Sequence, residues 1–337
     1  MPRLTSLPVA NATPALPGEF IEAFQRLVPE GPIGVAVSGG SDSMALLAMA
    51  RAQHPNEIHA ATVNHGLRAE AQREAAEVAA FCASHAIPHT TLTAEGLATD
   101  QGNLQANARD ARFDLLANWA QTRNLHAVLL GHTMDDQAET VLMRLARGSG
   151  AEGLAGMEER RDWQGIVFLR PLLGLRRVAL RDWLRAAGIG WVDDPSNDDR
   201  SFNRVKARQA LETLTPLGIT VDGLAETAIR LRRQVEVLRA DADRLHDNMF
   251  EPSPHGEARL DRELLRSALT DTGLRVLADT LMRIGAGSYR PRFRALEPLY
   301  HRLIGTKPVR TTLAGCLIEA DATTIRVFPE HKANATT

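Results

Sequence analysis

Cysteine is almost absent from this chain. Its 337 residues include two, Cys82 and Cys316, far apart in sequence. That excludes a disulfide framework, a structural zinc site and a CxxC redox pair, and makes a reducing, cytoplasmic setting the expectation. Lysine is nearly as scarce. Of 39 basic residues only Lys206, Lys307 and Lys332 are lysines, and the rest are arginine. Arginine by itself is therefore a poor marker of function here. No apolar run reaches the roughly 18 residues of a membrane span, so none is expected. Residues 1–20 are broken by Pro8, Pro14 and Pro17. They lack the basic start and continuous apolar stretch of a secretory signal and read as a loose tail. A net charge of −2 points to no polyanionic partner.

What is present is a strong alternation. IGVAV (33–37), EIHAATV (57–63) and HAVLL (126–130) are strand-like, while 43–53, 68–86, 103–122 and 135–147 are helical. This rhythm predicts an α/β fold, a parallel twisted sheet flanked by helices with right-handed crossovers. VAV and AVLL are apolar throughout, as strands buried on both faces should be. GSGAEGLAGM (148–157) is a glycine-rich break, and GIGWVDDPSNDD (188–199) reads as a strand end followed by a turn cluster. Beyond Pro216 the pattern changes. Leu224, Ala228, Leu231, Val235, Leu238, Ala242 and Leu245 form a heptad-like seam on one long helix. Such a seam packs on the domain body or on a partner helix, and a partner from a second copy would make a homodimer. After EPSPHGE (251–257) come two shorter helical runs and then β-hairpin material. The expected organisation is a tail over 1–20, an α/β domain over 21–216, and a long linker helix with a smaller, mainly helical C-terminal domain over 217–337.

SGGSDS (38–43) ends the first strand and opens the next helix. Two glycines free the backbone N–H groups to face outward, and with the helix N-terminus these make an anion site. Serine hydroxyls add donors. The loop is neither GxxxxGK[ST], which needs a lysine, nor GxGxxG. Asp42 beside a phosphate needs a cation between them, which suggests Mg2+. The plainer alternative is that Ser41 or Asp42 caps the helix. GHTMDDQAET (131–140) follows another strand at its carboxyl end, where open α/β sheets bind ligands. Asp135 and Asp136 in the first turn serve either the helix dipole or a metal. With Asp42 also at a strand end, a shared Mg2+ is the better reading. His132 and Glu139 flank the pair. Arg109 and Arg112 share a helix face, so they hold an anion or pair with Asp110 or Asp114. From 283 to 310, Arg283, Arg290, Arg292, Arg294, Arg302, Lys307 and Arg310 stand against Glu297 alone, with Tyr289, Phe293 and Tyr300 among them.

SGGSDS resembles the SGGxDS pyrophosphatase loop of ATP-dependent adenylating enzymes, a group with an adenine nucleotide alpha-hydrolase-like fold. That group includes GMP and NAD synthetases and several tRNA-modifying enzymes. Further segments resemble the tRNA(Ile)-lysidine synthetase family in particular: VNHGLRAEA (63–71), NLQANARDARFDLL (103–116), LLGHTMDDQAETVLMRLARGSGAEGLAGM (129–157) and RPLLGLRRVALRDWLRAAGIGWVDDPSND (170–198). They follow the family's order and cover nearly all of 33–208. The resemblance implies ATP and Mg2+, with Ser38, Gly39, Gly40, Ser41, Asp42 and Ser43 binding ATP. Asp42 and Asp136 then share the metal, and His132, Arg109 and Arg112 join them in the catalytic site. It implies free lysine and the CAU-anticodon isoleucine tRNA as substrates, and gives the basic stretch, Arg290, Arg292, Arg294 and Arg302, a tRNA-gripping role. DDPSNDD is placed on the lysine and tRNA side. The chain departs from the pattern at Thr133, where the family has a second histidine, at Asn64, where it has aspartate, and at Phe202. The alternative is another tRNA-modifying or small-molecule adenylating enzyme on the same loop. A thiolase would need reactive cysteines.

Overall fold

The computed structural model describes residues 14–64, 69–93, 104–193, 203–252, 257–285 and 291–330. The chain divides into two compact units, 1–231 and 232–337.

In the first unit the elements run α1 (Gly18–Leu27), β1 (Ile33–Ala36), α2 (Ser41–Gln53), β2 (Ile58–Asn64), α3 (Ala69–Ser84), β3 (His89–Thr93), α4 (Leu104–Thr122), β4 (Ala127–Leu130), α5 (Met134–Leu145), α6 (Ala151–Leu154), β5 (Arg160–Trp163), β6 (Ile166–Leu169), α7 (Arg177–Ala186) and α8 (Asn203–Leu214). The sheet order is β3-β2-β1-β4-β6-β5, parallel except for the β5–β6 hairpin. Alternate side chains of β1 and β4 feed two cores. Ile33, Val35, Ala127 and Leu129 pack with α1, α2, α3 and α7, while Ala36, Val128 and Leu130 pack with Phe113, Leu116 and Trp119 of α4. Helices thus cover both faces, as the all-apolar strands require. Helix α2 lies deepest: every residue from Met44 to Ala50 is buried. Gly34 is dictated by packing, because a Cβ there would sit 2.6 Å from the Trp119 ring.

β3, β5 and β6 were not visible as strands in the sequence. β3 and β5 are polar edge strands with half-exposed side chains. The segment 188–193, expected as a strand end, carries no strand, and it hangs on the loop after β1 through Val192 N–H donating to Gly39 O at 2.9 Å.

Helix α9 (Val221–Met249) contains the division between the units, and each seam residue on it is buried or half-buried. The second unit continues with β7 (Phe250–Pro252), β8 (Ala258–Asp261), α10 (Arg262–Ser267), α11 (Thr270–Ile284), α12 (Phe293–Leu303), β9 (Val309–Leu313), β10 (Cys316–Ala320) and β11 (Thr324–Pro329). The terminal hairpin material extends into a five-stranded antiparallel sheet, β7-β8-β11-β10-β9. Strand residues alternate between buried and outward, so one face meets α11 and α12. Arg262 is fully buried and donates to the carbonyls of Leu303 and Lys307, at 2.6 and 2.7 Å, and to that of Asp321. It fixes the end of α12 against the sheet.

Candidate functional site

The strand order reverses between β1 and β4. Both the 38–43 loop and the 131–136 turn leave the sheet there, at its carboxyl edge. They touch: a Cβ on Gly131 would lie 3.1 Å from the Ser43 backbone and 3.2 Å from that of Asp42. A larger residue there would press the two loops apart by a few tenths of an ångström.

The loop is not capped in the ordinary way. Gly40 is the N-cap of α2 and no side chain accepts from its first turn, which removes the reading of Ser41 or Asp42 as caps. Ser41 Oγ instead donates to Asp42 Oδ1 at 3.1 Å. The Ser43 hydroxyl accepts from Ser38 N–H at 3.1 Å and donates to Gly40 O at 3.0 Å, so it sets the loop's shape. Gly39 takes a φ of +88°, the left-handed region that favours glycine. The N–H groups of Gly40, Ser41 and Asp42 have no acceptor among the described residues. They leave an open row of N–H donors at a helix N-terminus, an arrangement suited to an anion.

Asp135 and Asp136 separate into two roles. Asp135 Oδ2 accepts from the Arg177 backbone N–H at 2.7 Å, docking the start of α7 onto α5. Asp136 closes a capping box with Thr133, whose N–H and Oγ1 reach Asp136 Oδ2 at 2.8 and 2.9 Å. Thr133 therefore has a positive use where the resembling family carries histidine: it fixes one Asp136 oxygen and leaves Oδ1 facing the site.

Arg177, which the sequence reading missed, occupies the centre. Its Nε donates to Asp42 Oδ2 at 2.8 Å, its Nη2 to Asp136 Oδ1 at 3.2 Å, and its Nη1 lies 3.6 Å from Glu139 Oε1. Asp42 and Asp136 are thus brought within the span of one guanidinium. Arg208 Nε donates to the same Glu139 oxygen at 3.0 Å, and Arg204 lies 3.7 Å from Asp136. Burial disfavours the charge on Arg177, but the Asp136 and Asp42 carboxylates outweigh it and hold its proton more tightly than usual. Burial pushes the Asp42 and Glu139 carboxyls above their ordinary range, with Asp136 adding to the shift and Arg177 opposing it. Burial also opposes ionisation of Asp136, yet Arg177, Arg204 and the Thr133 N–H together hold it below that range. Glu139 Oε2 is buried and has no hydrogen-bond partner among the described residues.

His132 sits between these groups and a buried arginine. Arg170 is 2% exposed, and its Nε donates to His132 Nδ1 at 3.2 Å. A ring nitrogen that accepts from a guanidinium carries no proton, so Nε2 carries it and faces away from Arg170 as a donor. Burial, outweighing the attraction of Asp136, pushes this imidazole down to about 3. His132 should hence stay neutral, with one Nε2–H signal, from pH 5 to 8 in a nitrogen-15 NMR titration; protonation near the ordinary value of 6.5 would contradict the geometry. Because the unfolded state binds the proton first, its stabilising contribution is complete above about pH 6.5 and is lost as pH falls toward 3.

Arg112 is half-buried on α4, and burial together with the Arg204 charge holds its pKa below the ordinary value. Its charge is also felt at His132, so the structure does bring it to the site. Asp114, one of its candidate partners, instead accepts from Trp163 Nε1 and Gln164 Nε2, each at 2.8 Å. Arg109 lies on the same helix, but its side chain, like 65–68 and 194–202, is outside the described residues. Of the basic stretch, Arg292, Arg294 and Arg302 are exposed on or beside α12, and Phe293 between the first two is 57% exposed. Arg290 is outside the described residues. Tyr300 is core, 1% exposed, and is removed from any surface role.

An open N–H cradle at the β1/β4 switch point, beside paired carboxylates, is the geometry of a PP-loop domain, and residues 18–214 match the family model of that domain. The chain is 43% identical over 319 residues to a tRNA(Ile)-lysidine synthase from Ruegeria pomeroyi, covering 90% of this chain and 73% of that one. It is 39% identical over 325 residues to one from Methylobacterium sp. strain 4-46, covering 92% and 94%. The chain belongs to the tRNA(Ile)-lysidine synthase family. Among solved structures, a U34-tRNA thiolase, NcsA, from Methanococcus maripaludis shares the fold, with a TM-score of 0.54 at 17% identity over 65% of this chain and 77% of that one. No helix among the described residues is long and apolar enough to cross a membrane.

Proposed function

We propose that this chain uses ATP to adenylate the wobble cytidine of the CAU-anticodon isoleucine tRNA and then joins free lysine to it. The cytidine carbonyl oxygen attacks the α-phosphorus and the bond to pyrophosphate breaks. The lysine ε-amine then attacks the same carbon, AMP leaves with the oxygen, and one proton is lost. The observation that carries this is the open N–H cradle of the loop set against the Asp42–Asp136 pair, in a chain of this family.

The loop 38–43 receives the β- and γ-phosphates. Hard carboxylate oxygens suit Mg2+, and Asp42 and Asp136 would hold it, with Glu139 Oε2, which has no hydrogen-bond partner among the described residues, behind them. Arg177 spans that gap in this structure, so a cation held by the two carboxylates would displace its guanidinium. Mg2+ would supply the positive charge that lets phosphate lie beside Asp42. His132, fixed as a donor, hydrogen-bonds a developing negative oxygen and does not serve as a base. Arg112, Arg109 and Arg204 bring positive charge to the nucleotide or the tRNA. Glu139, buried and held above the usual carboxylate range, is the group suited to accept the ammonium proton of lysine. A thiolase reading finds no support: both cysteines are buried, and burial pushes Cys82 to about 12 and Cys316 to about 11.

The test is incubation with ATP, Mg2+, radiolabelled lysine and the isoleucine tRNA. Label should enter that tRNA and not initiator methionine tRNA; no incorporation, or equal incorporation into both, overturns the reading. Such a substrate sets the reaction in the cytoplasm. Arg290, Arg292, Arg294 and Arg302 would grip the tRNA backbone, with α9 as spacer. Charge reversal at Arg292 and Arg294 should raise the KM for tRNA. It should also make the fall of log affinity with log salt shallower by about one for each phosphate the surface ceases to neutralise. An unchanged slope would remove this surface from the interface.

A further inference from the structure

The loop lacks the lysine that other phosphate-binding loops carry, so its cation must come from elsewhere. Helix α7 supplies a candidate one turn beyond Arg177. Arg181 Nε donates to the Oγ of Ser41, the first residue of α2, at 3.2 Å, and its Nη2 donates to Asp193 Oδ1 at 3.0 Å. Asp193 Oδ1 also accepts from Trp191 Nε1 at 3.1 Å, and the guanidinium lies 5.9 Å from the Trp191 ring centre. The segment bearing Trp191 and Asp193 is itself tied to the loop through Val192 N–H and Gly39 O. Arg181 is therefore oriented at the mouth of the cradle, and its Nη1 makes no bond to protein among the described residues.

We propose that Arg181 binds the pyrophosphate portion of ATP, taking the place of the missing loop lysine. The inference rests on the ATP reading of the loop. Arg177 faces three carboxylates in this structure, whereas Arg181 already lies against Ser41 of the loop. Arg181 has one partner carboxylate, 61% exposed, and an ion pair of that kind is weak enough to yield to a phosphate. A guanidinium also suits phosphate oxygens in geometry, since two of its nitrogens can donate in parallel.

Inorganic pyrophosphate is the probe, titrated calorimetrically into the full chain with melting temperature as the control for folding. Arg181→Met should weaken pyrophosphate binding about tenfold and raise the KM for ATP by a similar factor, with a smaller change in kcat. Arg181→Lys should recover part of the loss. Asp193→Asn removes the competing carboxylate while keeping an acceptor, and should bind pyrophosphate at least as tightly as the wild type. Two results overturn the inference alone: unchanged affinity in Arg181→Met, or an equal loss in Asp193→Asn, which would make the pair a clamp for residues 188–193. A wild-type protein that binds no pyrophosphate would instead overturn the reading of the loop, and the inference with it.

Discussion

Replacing Arg177 with methionine should cost the α/β unit about 3–5 kcal/mol of stability in metal-free buffer, because it leaves buried carboxylates without their cation. Asp42, Asp136 and Glu139 all face this one guanidinium, and their side chains are 19%, 10% and 1% exposed. Arg208 and Arg204 remain, but they reach only Glu139 and Asp136. Adding Mg2+ should return part of the loss in the variant and shift the wild type less, since in the wild type the ion competes with Arg177. Urea denaturation with and without Mg2+ measures both. A loss indifferent to Mg2+ would mean that the carboxylates form no cation site. Acid gives an independent check. In the wild type, Arg177 opposes the upward shift of Asp42 and Glu139 and helps to depress Asp136. Without it all three carboxyls rise, and a carboxyl raised by folding destabilises the native state at neutral pH and ceases to do so once protonated. The gap between variant and wild type should narrow as pH falls from 7 toward 4.

The loop, His132 and Asp136 were readable in the sequence because each lies at the end of an apolar strand, where strand, turn and helix leave no other placement. Their cationic partners were not. Arg170, Arg177, Arg181 and Arg208 come from segments far along the chain, and in a protein whose cations are nearly all arginine no single one stands out. A usable signal existed in LRRVALRD: Arg177 and Arg181 are four apart on one helix face, just after the RPLL segment. Residue type and spacing alone could not divide Asp135 from Asp136; only the family resemblance singled out Asp136. Both occupy the first turn of α5, and only the position of α7 gives one of them a backbone N–H and the other a guanidinium. The strands that escaped notice, β3, β5, β6, β7 and β8, are three to five residues long, too short to show a period, and β3, β6 and β8 take their register from strands distant in the sequence.

That division of labour makes the adjacent aspartates the sharpest test of the site. Asp136→Asn should lower lysine incorporation by about a hundred- to a thousandfold, the scale seen when one preorganised electrostatic group is lost from a catalytic centre. An asparagine oxygen can still accept from Thr133 N–H and Oγ1, so the α5 cap survives and the melting temperature should move little. What disappears is the charge at Oδ1, facing Arg177 and Arg204. Asp135→Asn keeps an acceptor for the Arg177 N–H, so α7 stays docked and activity should fall only a few-fold. The two residues are chain neighbours of the same type in the same turn. Helix position and dipole therefore cancel in the comparison, and what remains is a modest difference in burial, 20% against 10% exposed, and the direction each carboxylate faces. Equal losses in both variants would mean that the pair acts through the helix terminus, and the proposed clamp between β1 and β4 would have to be abandoned.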